Sequence, residues 1–150
     1  TYTLHVLLRY ELERALVDGS LKVADVPKAW NEKMVAYLGC EPESDARGVL
    51  QDVHWSAGAL GYFPTYSLGA MFACQIFQAA KESIGAEELD AQLRNGEFSV
   101  LREWLRERVH LLGSLPVSGD ELMKRVTGRP LDPQVFLRYL SDKYRTLYKC

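Results

Sequence analysis

The sequence lacks the motifs that mark several well-defined functional classes. It contains no P-loop, no GxGxxG, no GxSxG and no HExxH, so the residues show no standard nucleotide site, serine-hydrolase turn or zinc-peptidase helix. No apolar run approaches the roughly 20 residues that span a bilayer. The formal net charge is only −2, which argues against a broad basic field for non-specific nucleic-acid binding.

Cysteine is also scarce in this chain. The three cysteines, Cys40, Cys74 and Cys150, are far apart and form no CxxC pair, which excludes a zinc knuckle or a CxxC redox pair. Such a set predicts a reducing, cytoplasmic setting. With 47% hydrophobic and 25% charged residues in a chain of 150, the composition is that of one soluble globular domain.

Helical periodicity is the main pattern that the sequence does contain. Apolar residues recur at spacings of three and four in seven segments, and no segment alternates with period two for more than a few residues. The predicted helices cover approximately residues 2–17, 26–38, 64–84, 86–95, 98–110, 119–126 and 133–147. Residues 50–55 fit either a short strand or an irregular turn. The sequence therefore predicts an all-α fold.

Local patterns predict an ion pair, helix caps and the burial of one helix. Arg9 and Glu13 are four residues apart on the first helix, which predicts an ion pair between them. Asp25 is predicted to cap the second helix. The third helix, residues 64–84, is apolar nearly all round and is predicted to be central and buried. Ser118-Gly-Asp-Glu121 has the spacing of a capping box.

Hydrogen-bonding side chains, aromatics and four glycines crowd together in residues 48–69. The polar candidates in this segment are Gln51, Asp52, His54, Tyr62 and Tyr66. One interpretation is a substrate-binding site beside rigid helices. The other is a tight turn whose polar groups satisfy local backbone. The two tyrosines likewise fit two roles, either as uncharged hydroxyl donors to an oxyanion or, with Phe63, as aromatic core.

Complete catalytic centres are harder to build from these residues. A zinc site of His5, His54 and His110 is a weak hypothesis because no two of these histidines have helical i,i+4 spacing. Asp52 could orient His54 only if the segment were extended, because residues two apart point the same way only in a strand. The segment therefore has the residues of a supporting wall rather than of a whole active site.

The residues Gly48-x-x-Gln51-Asp52-x-His54-Trp55 match the GxxQDxHW motif of the Taq-type thermostable metallocarboxypeptidases. Other blocks that resemble this family are residues 1–11, 56–70 and 127–144. The resemblance covers essentially the whole chain, and a motif with five fixed positions is specific.

This resemblance implies an all-α, neurolysin-like fold and a homodimeric parent enzyme that releases C-terminal residues from peptides. It also implies one divalent metal, zinc or cobalt, held by an HExxH motif and a later glutamate that this sequence does not contain. The family's pattern assigns His54, Gln51 and Asp52 to substrate binding, and it makes Tyr62 and Tyr66 the candidates for stabilising the oxyanion. This chain is then expected to bind no catalytic metal and to be inactive by itself.

The sequence is compatible with three hypotheses about the function of this chain. The chain is the C-terminal, substrate-side portion of a metallocarboxypeptidase, a non-catalytic helical interaction module with the same fold, or a self-contained histidine-based hydrolase. A helical pattern that is already running at residue 1 favours the first hypothesis, since it predicts that the chain is part of a longer protein.

Overall fold

The structure, a computed structural model, describes residues 1–149 and confirms the all-α prediction. Within this range there are seven α-helices and no β-strand. The helices are α1 (Tyr2–Val17), α2 (Val26–Leu38), α3 (Pro64–Ile84), α4 (Ala86–Arg94), α5 (Ser99–Arg108), α6 (Gly119–Thr127) and α7 (Pro133–Tyr148). Residues 50–55 form turns and bends, so the irregular-turn alternative is the correct one.

The chain divides into two compact units, the first of which is Thr1–Leu68. Its core lies between α1 and α2 and includes Val49 from the loop that follows α2. Leu8, Leu12 and Trp30 are almost completely buried there, as helical spacing on α1 and α2 predicts. This core fixes the positions of α1 and α2, which support the irregular residues 48–63, called the polar segment below.

The predicted ion pair between Arg9 and Glu13 is wrong. Arg9 binds Asp52 in the loop, and Glu13 accepts a hydrogen bond from the indole nitrogen of Trp55. Both charged side chains are buried within the first unit. Each of them binds a residue of the loop that is distant in sequence, and they do not bind each other. An i,i+4 spacing shows only that two residues share a helix face, and tertiary contacts decided the pairing.

Helix ends follow the predicted signals with one exception. The Ser118 side chain accepts a hydrogen bond from the backbone N–H of Glu121 at 3.2 Å, which is one of the two bonds of the predicted capping box. The Glu121 carboxylate accepts from the backbone N–H of Val117, one residue before the position that a capping box requires. Asp132 likewise caps α7 by accepting from the backbone N–H of Gln134 at 2.9 Å. Asp25 stands at the N-cap position of α2, but its side chain makes no capping bond, because its backbone is helical and ends a short 3₁₀ turn.

The prediction that α3 is buried is wrong for most of its length, since most of its residues are only partly buried. Only Ser67, Gln75 and Ala80 of this helix are buried, whereas Leu68 is 42% exposed. The sequence shows that α3 is apolar on most sides, but it does not show how many of those sides are covered.

No helix among the described residues is long and apolar enough to cross a membrane.

The second unit begins at Gly69, and its described part, residues 69–149, contains one buried polar side chain, Gln75 of α3. Its amide nitrogen donates to the carbonyl of Pro130 at 2.9 Å and to the Thr127 hydroxyl at 3.1 Å. Its amide oxygen accepts from the backbone N–H of Asp132 at 2.8 Å. Gln75 therefore ties α3 to the loop between α6 and α7.

A pH-dependent contact connects α1 and α2. The carboxylate of Glu11 accepts hydrogen bonds from Lys33 and from the Tyr37 hydroxyl, and the Lys33 bond is the main reason that the pKa of Glu11 is lowered. Because the folded pKa lies below the unfolded one, this contact stabilises the fold above the ordinary glutamate pKa of about 4.3 and loses its effect as pH falls through the folded pKa.

We therefore expect Glu11→Gln to reduce the rise in stability between about pH 3 and pH 6. The expected difference at neutral pH is about 0.5–1 kcal/mol, because the pair is partly solvated and screened. Urea unfolding at several pH values measures it, with Glu43→Gln as the control, since Glu43 forms an exposed ion pair with Arg47. Equal pH dependence in the Glu11 variant and the parent protein would show that the contact contributes nothing.

Candidate functional site

The polar segment folds as a succession of tight turns in the first unit. Gly58 and Gly61 have φ values of 75° and 79°, in the left-handed region that side chains with a Cβ rarely adopt. These turns bring the chain from the 51–55 loop to the start of α3 at Pro64. His54 therefore lies beside Tyr62, which precedes α3, and beside Tyr66 in the first turn of that helix.

Helix α1 holds the loop through two long-range contacts. The guanidinium of Arg9 donates from Nε and from a terminal nitrogen to the same oxygen of Asp52, at 2.8 Å and 2.6 Å. One turn further along the helix, Glu13 accepts a hydrogen bond from Trp55 Nε1 at 2.7 Å. Asp52 is therefore bonded to Arg9, and the hypothesis that it orients His54 by a direct hydrogen bond is wrong.

His54 is surrounded by aromatic rings. Its ring lies 4.4 Å from that of Phe63 and 5.8 Å from that of Tyr62, measured between centroids. Its Nε2 atom is 2.9 Å from the Tyr66 hydroxyl oxygen, a hydrogen bond whose donor depends on the imidazole tautomer. Its other nitrogen, Nδ1, is buried without a partner.

The unpartnered nitrogen favours one tautomer of the neutral ring. A buried N–H without an acceptor is rarer in proteins than a buried lone pair without a donor. The proton is therefore expected on Nε2, from which His54 donates to the Tyr66 oxygen. This arrangement leaves the hydroxyl hydrogen of Tyr66 free to donate elsewhere.

The aromatic-core interpretation is correct for Phe63 and wrong for the two tyrosines. Phe63 is 4% exposed, whereas Tyr62 is 50% and Tyr66 38% exposed. The pKa of Tyr66 is raised, first by partial desolvation and then by the neighbouring Tyr62 and Tyr2. Tyr66 therefore keeps its proton at neutral pH and can act as an uncharged donor.

These side chains border an open cavity of about 410 Å³. The cavity is lined by Tyr2, His5, Val6, Arg9, Gln51, Asp52, His54, Phe63 and Tyr66. Four of the five residues predicted from the sequence, Gln51, Asp52, His54 and Tyr66, therefore share one cavity. Tyr62 is absent from the lining, although it stacks on His54.

Sequence reasoning missed the contribution of α1 to this site. Tyr2, His5 and Arg9 lie on one face of α1 at spacings of three and four, and all three line the cavity. The pKa of His5 is lowered, mainly by desolvation and also by the charge of Arg9. The available signal was the position of Arg9 three residues before the apolar Leu12, which places a charged residue near the apolar face of a helix, where an arginine needs a partner.

The described residues do not supply a metal site. Within residues 1–149 no three histidine, cysteine, aspartate or glutamate side chains are grouped so that they could hold an ion. His5 and His54 both border the cavity, but the only carboxylate in its lining, Asp52, is bonded to Arg9. The hypothesis of a self-contained histidine-based zinc hydrolase therefore has no support from this geometry.

Comparisons with known proteins agree on one family. The model of the carboxypeptidase Taq (M32) metallopeptidase family matches residues 1–144. Carboxypeptidase 1 of Bacillus subtilis (strain 168) is 45% identical over 148 residues, which are 99% of this chain and 29% of the relative. Thermostable carboxypeptidase 1 of Thermus thermophilus is 45% identical over 148 residues, which are 99% of this chain and 28% of the relative.

Solved structures show the same likeness in three dimensions. Trypanosoma cruzi metallocarboxypeptidase 1 superposes with a TM-score of 0.91 at 46% sequence identity, covering 96% of this chain and 30% of that one. The chain thus has the helical fold of a metallocarboxypeptidase segment. It belongs to the carboxypeptidase Taq (M32) family of metallopeptidases, and it spans about 28–29% of the length of the two curated relatives named above.

Proposed function

We propose that residues 1–150 are the C-terminal, substrate-binding portion of a metal-dependent carboxypeptidase that releases C-terminal amino acids from peptides. The cavity that brings Gln51, His54 and Tyr66 together is the observation that carries this proposal. The family membership supplies the reaction class, since the relatives are named carboxypeptidases. The complete enzyme would have a neurolysin-like fold, and the other helices of that fold would belong to the same polypeptide.

The roles of the individual residues follow from the atoms that they present to the cavity. The Tyr66 hydroxyl donates a hydrogen bond to the oxygen on which negative charge develops during peptide hydrolysis. His54 orients that hydroxyl and lines the groove for the peptide, and the amide of Gln51 supplies both a donor and an acceptor to the peptide backbone. Tyr62 packs on His54 and is the weaker candidate for the oxyanion, because it does not border the cavity.

The metal of such an enzyme would be one divalent ion, zinc or cobalt, bound by residues outside this chain. That ion would activate water and polarise the scissile carbonyl. The residues of this chain are proposed to contribute hydrogen-bond donors and shape to the groove. We further propose that the complete enzyme is a cytoplasmic homodimer.

A hydrolysis assay on the complete polypeptide that carries this chain tests the proposal. Peptides with a free C-terminal carboxylate are expected to lose residues one at a time from that end, and a chelator is expected to abolish the release. Purified residues 1–150 are expected to release nothing. Absence of release by the complete protein with zinc or cobalt would favour the non-catalytic interaction module, and chelator-sensitive release by residues 1–150 alone would contradict the proposed division of labour.

A further inference from the structure

Arg9 and Asp52 form an ion pair that borders the same cavity as the candidate substrate residues. The Arg9 side chain is 7% exposed and that of Asp52 is 32% exposed, so the arginine is the more buried partner of a pair that borders the cavity. A third nitrogen contact from Arg9 goes to the backbone carbonyl of His5 at 2.9 Å. The guanidinium is therefore bonded to both α1 and the loop.

Two aromatic rings pack against this guanidinium. Its carbon atom lies 4.7 Å from the centroid of Trp30 and 5.1 Å from that of Phe63. Cation–π contacts of this kind are stronger when the cation is desolvated, as it is here. These two ring contacts and the three hydrogen bonds together restrict the orientation of Arg9, and Asp52 is held by the two bonds that it accepts from this guanidinium.

The loop on either side of Asp52 carries the residues proposed to meet the peptide. Gln51 precedes it and His54 follows two residues later, and both border the same cavity. Trp55 is tied separately to Glu13 on α1, and its ring packs edge-on against Trp30 with centroids 6.1 Å apart. The loop is thus fixed to α1 at two points that bracket His54.

We propose that Arg9 and Asp52 are positioning residues, which set the place of His54 and Gln51 without contacting the peptide themselves; this inference rests on the proposed function. The bonded oxygen of Asp52 already accepts two charge-assisted hydrogen bonds, and the positive charge of Arg9 is neutralised by that carboxylate. A substrate carboxylate would have to displace Asp52 to bind Arg9. The pair therefore positions His54 and Gln51 and does not itself add to the free energy of peptide binding.

Steady-state kinetics of the complete enzyme separate these roles. Asp52→Asn keeps the shape of the side chain but removes its charge, and Arg9→Lys keeps the charge but loses the planar fork. Each variant is expected to lower kcat by about 10- to 100-fold while KM changes less than about threefold, because displacement of reacting groups by about 1 Å costs rate rather than affinity. Arg47→Lys is the matched control, since Arg47 forms an exposed pair with Glu43, and it should leave both constants unchanged.

The double variant tests whether Arg9 and Asp52 act as one unit. If they do, Arg9→Lys combined with Asp52→Asn should lose no more activity than the worse single variant. Multiplication of the two losses would overturn the proposal. So would a rise in KM of tenfold or more at unchanged kcat, which would mean that Asp52 or Arg9 binds the peptide directly.

An NMR measurement tests the inference without any reliance on activity. The imidazole signals of His54, assigned with a His54→Gln variant, should shift in Asp52→Asn and in Arg9→Lys but stay unchanged in Arg47→Lys. If Arg9→Lys does not fold, Trp55→Phe replaces it, because it removes the second bond to α1 and should also shift these signals. Unchanged His54 signals in the folded Asp52 variant would overturn the proposal, whereas shifted signals in a protein without peptidase activity would support it and reject only the proposed function.

Discussion

Tyr66→Phe is expected to lower kcat of the complete enzyme by about 10²–10³ while KM changes little. The variant keeps the aromatic ring, which contacts the rings of Tyr2 and Tyr62, and removes only the hydroxyl. Loss of one donor to a developing oxyanion has this magnitude in other hydrolases. Because the contact forms mainly in the transition state, the loss appears in kcat and in kcat/KM together.

Tyr62→Phe is the matched control, since it removes a hydroxyl four residues away that does not border the cavity. Its kcat is expected to stay within about threefold of the parent value. The measurement is steady-state release of the C-terminal residue from one peptide by both variants. A large loss in Tyr62→Phe with none in Tyr66→Phe would exchange the two roles, and unchanged kcat in both would reject a tyrosine donor in this segment.

Gln75→Leu is expected to destabilise the protein by about 2–3 kcal/mol, the largest effect on stability that we predict. Leucine has a similar volume, so the substitution leaves little cavity, but it removes every partner that Gln75 offers to the loop between α6 and α7. The backbone N–H of Asp132 and the carbonyl of Pro130 then lose hydrogen bonds in a partly buried place. Unsatisfied buried groups cost about 1–3 kcal/mol each, although part of this is recovered by water.

Urea unfolding measures this loss as a lower midpoint at an unchanged slope. Gln78→Leu is the control on the same helix, because the Gln78 amide donates only to Glu82, at the surface. The control should change stability by less than about 0.5 kcal/mol. A Gln75 variant within the same limit would show that water replaces the Gln75 contacts without cost.

Helical periodicity and end signals predicted most of the fold. Apolar residues at spacings of three and four located all seven helices within residues 1–149, and Pro64 and Ile84 are the first and last residues of α3, as predicted. The Ser118 cap succeeded because it depends on residues three apart in the chain. Helix periodicity and this cap depend on residues only three or four positions apart, and a pattern in the sequence is therefore enough to predict them.

Contacts between distant residues were not predictable in the same way. Arg9 had an acidic residue four positions away, yet its partner is Asp52, 43 positions away. The composition of α3 gave no information on how many of its sides are covered. The motif around His54 could be identified, but its use of α1 as a support could be found only when Arg9, Glu13 and Trp55 were placed in space.

Residues 48–69 are proposed to form one wall of a peptide-binding groove. A crystal structure of the complete polypeptide with a non-hydrolysable peptide analogue that has a free C-terminal carboxylate tests it most directly. The Tyr66 hydroxyl should then lie within about 2.6–3.2 Å of the group that replaces the scissile carbonyl, with Gln51 or His54 in contact with the peptide. An analogue bound elsewhere, with no contact to residues 51–66, would contradict the claim.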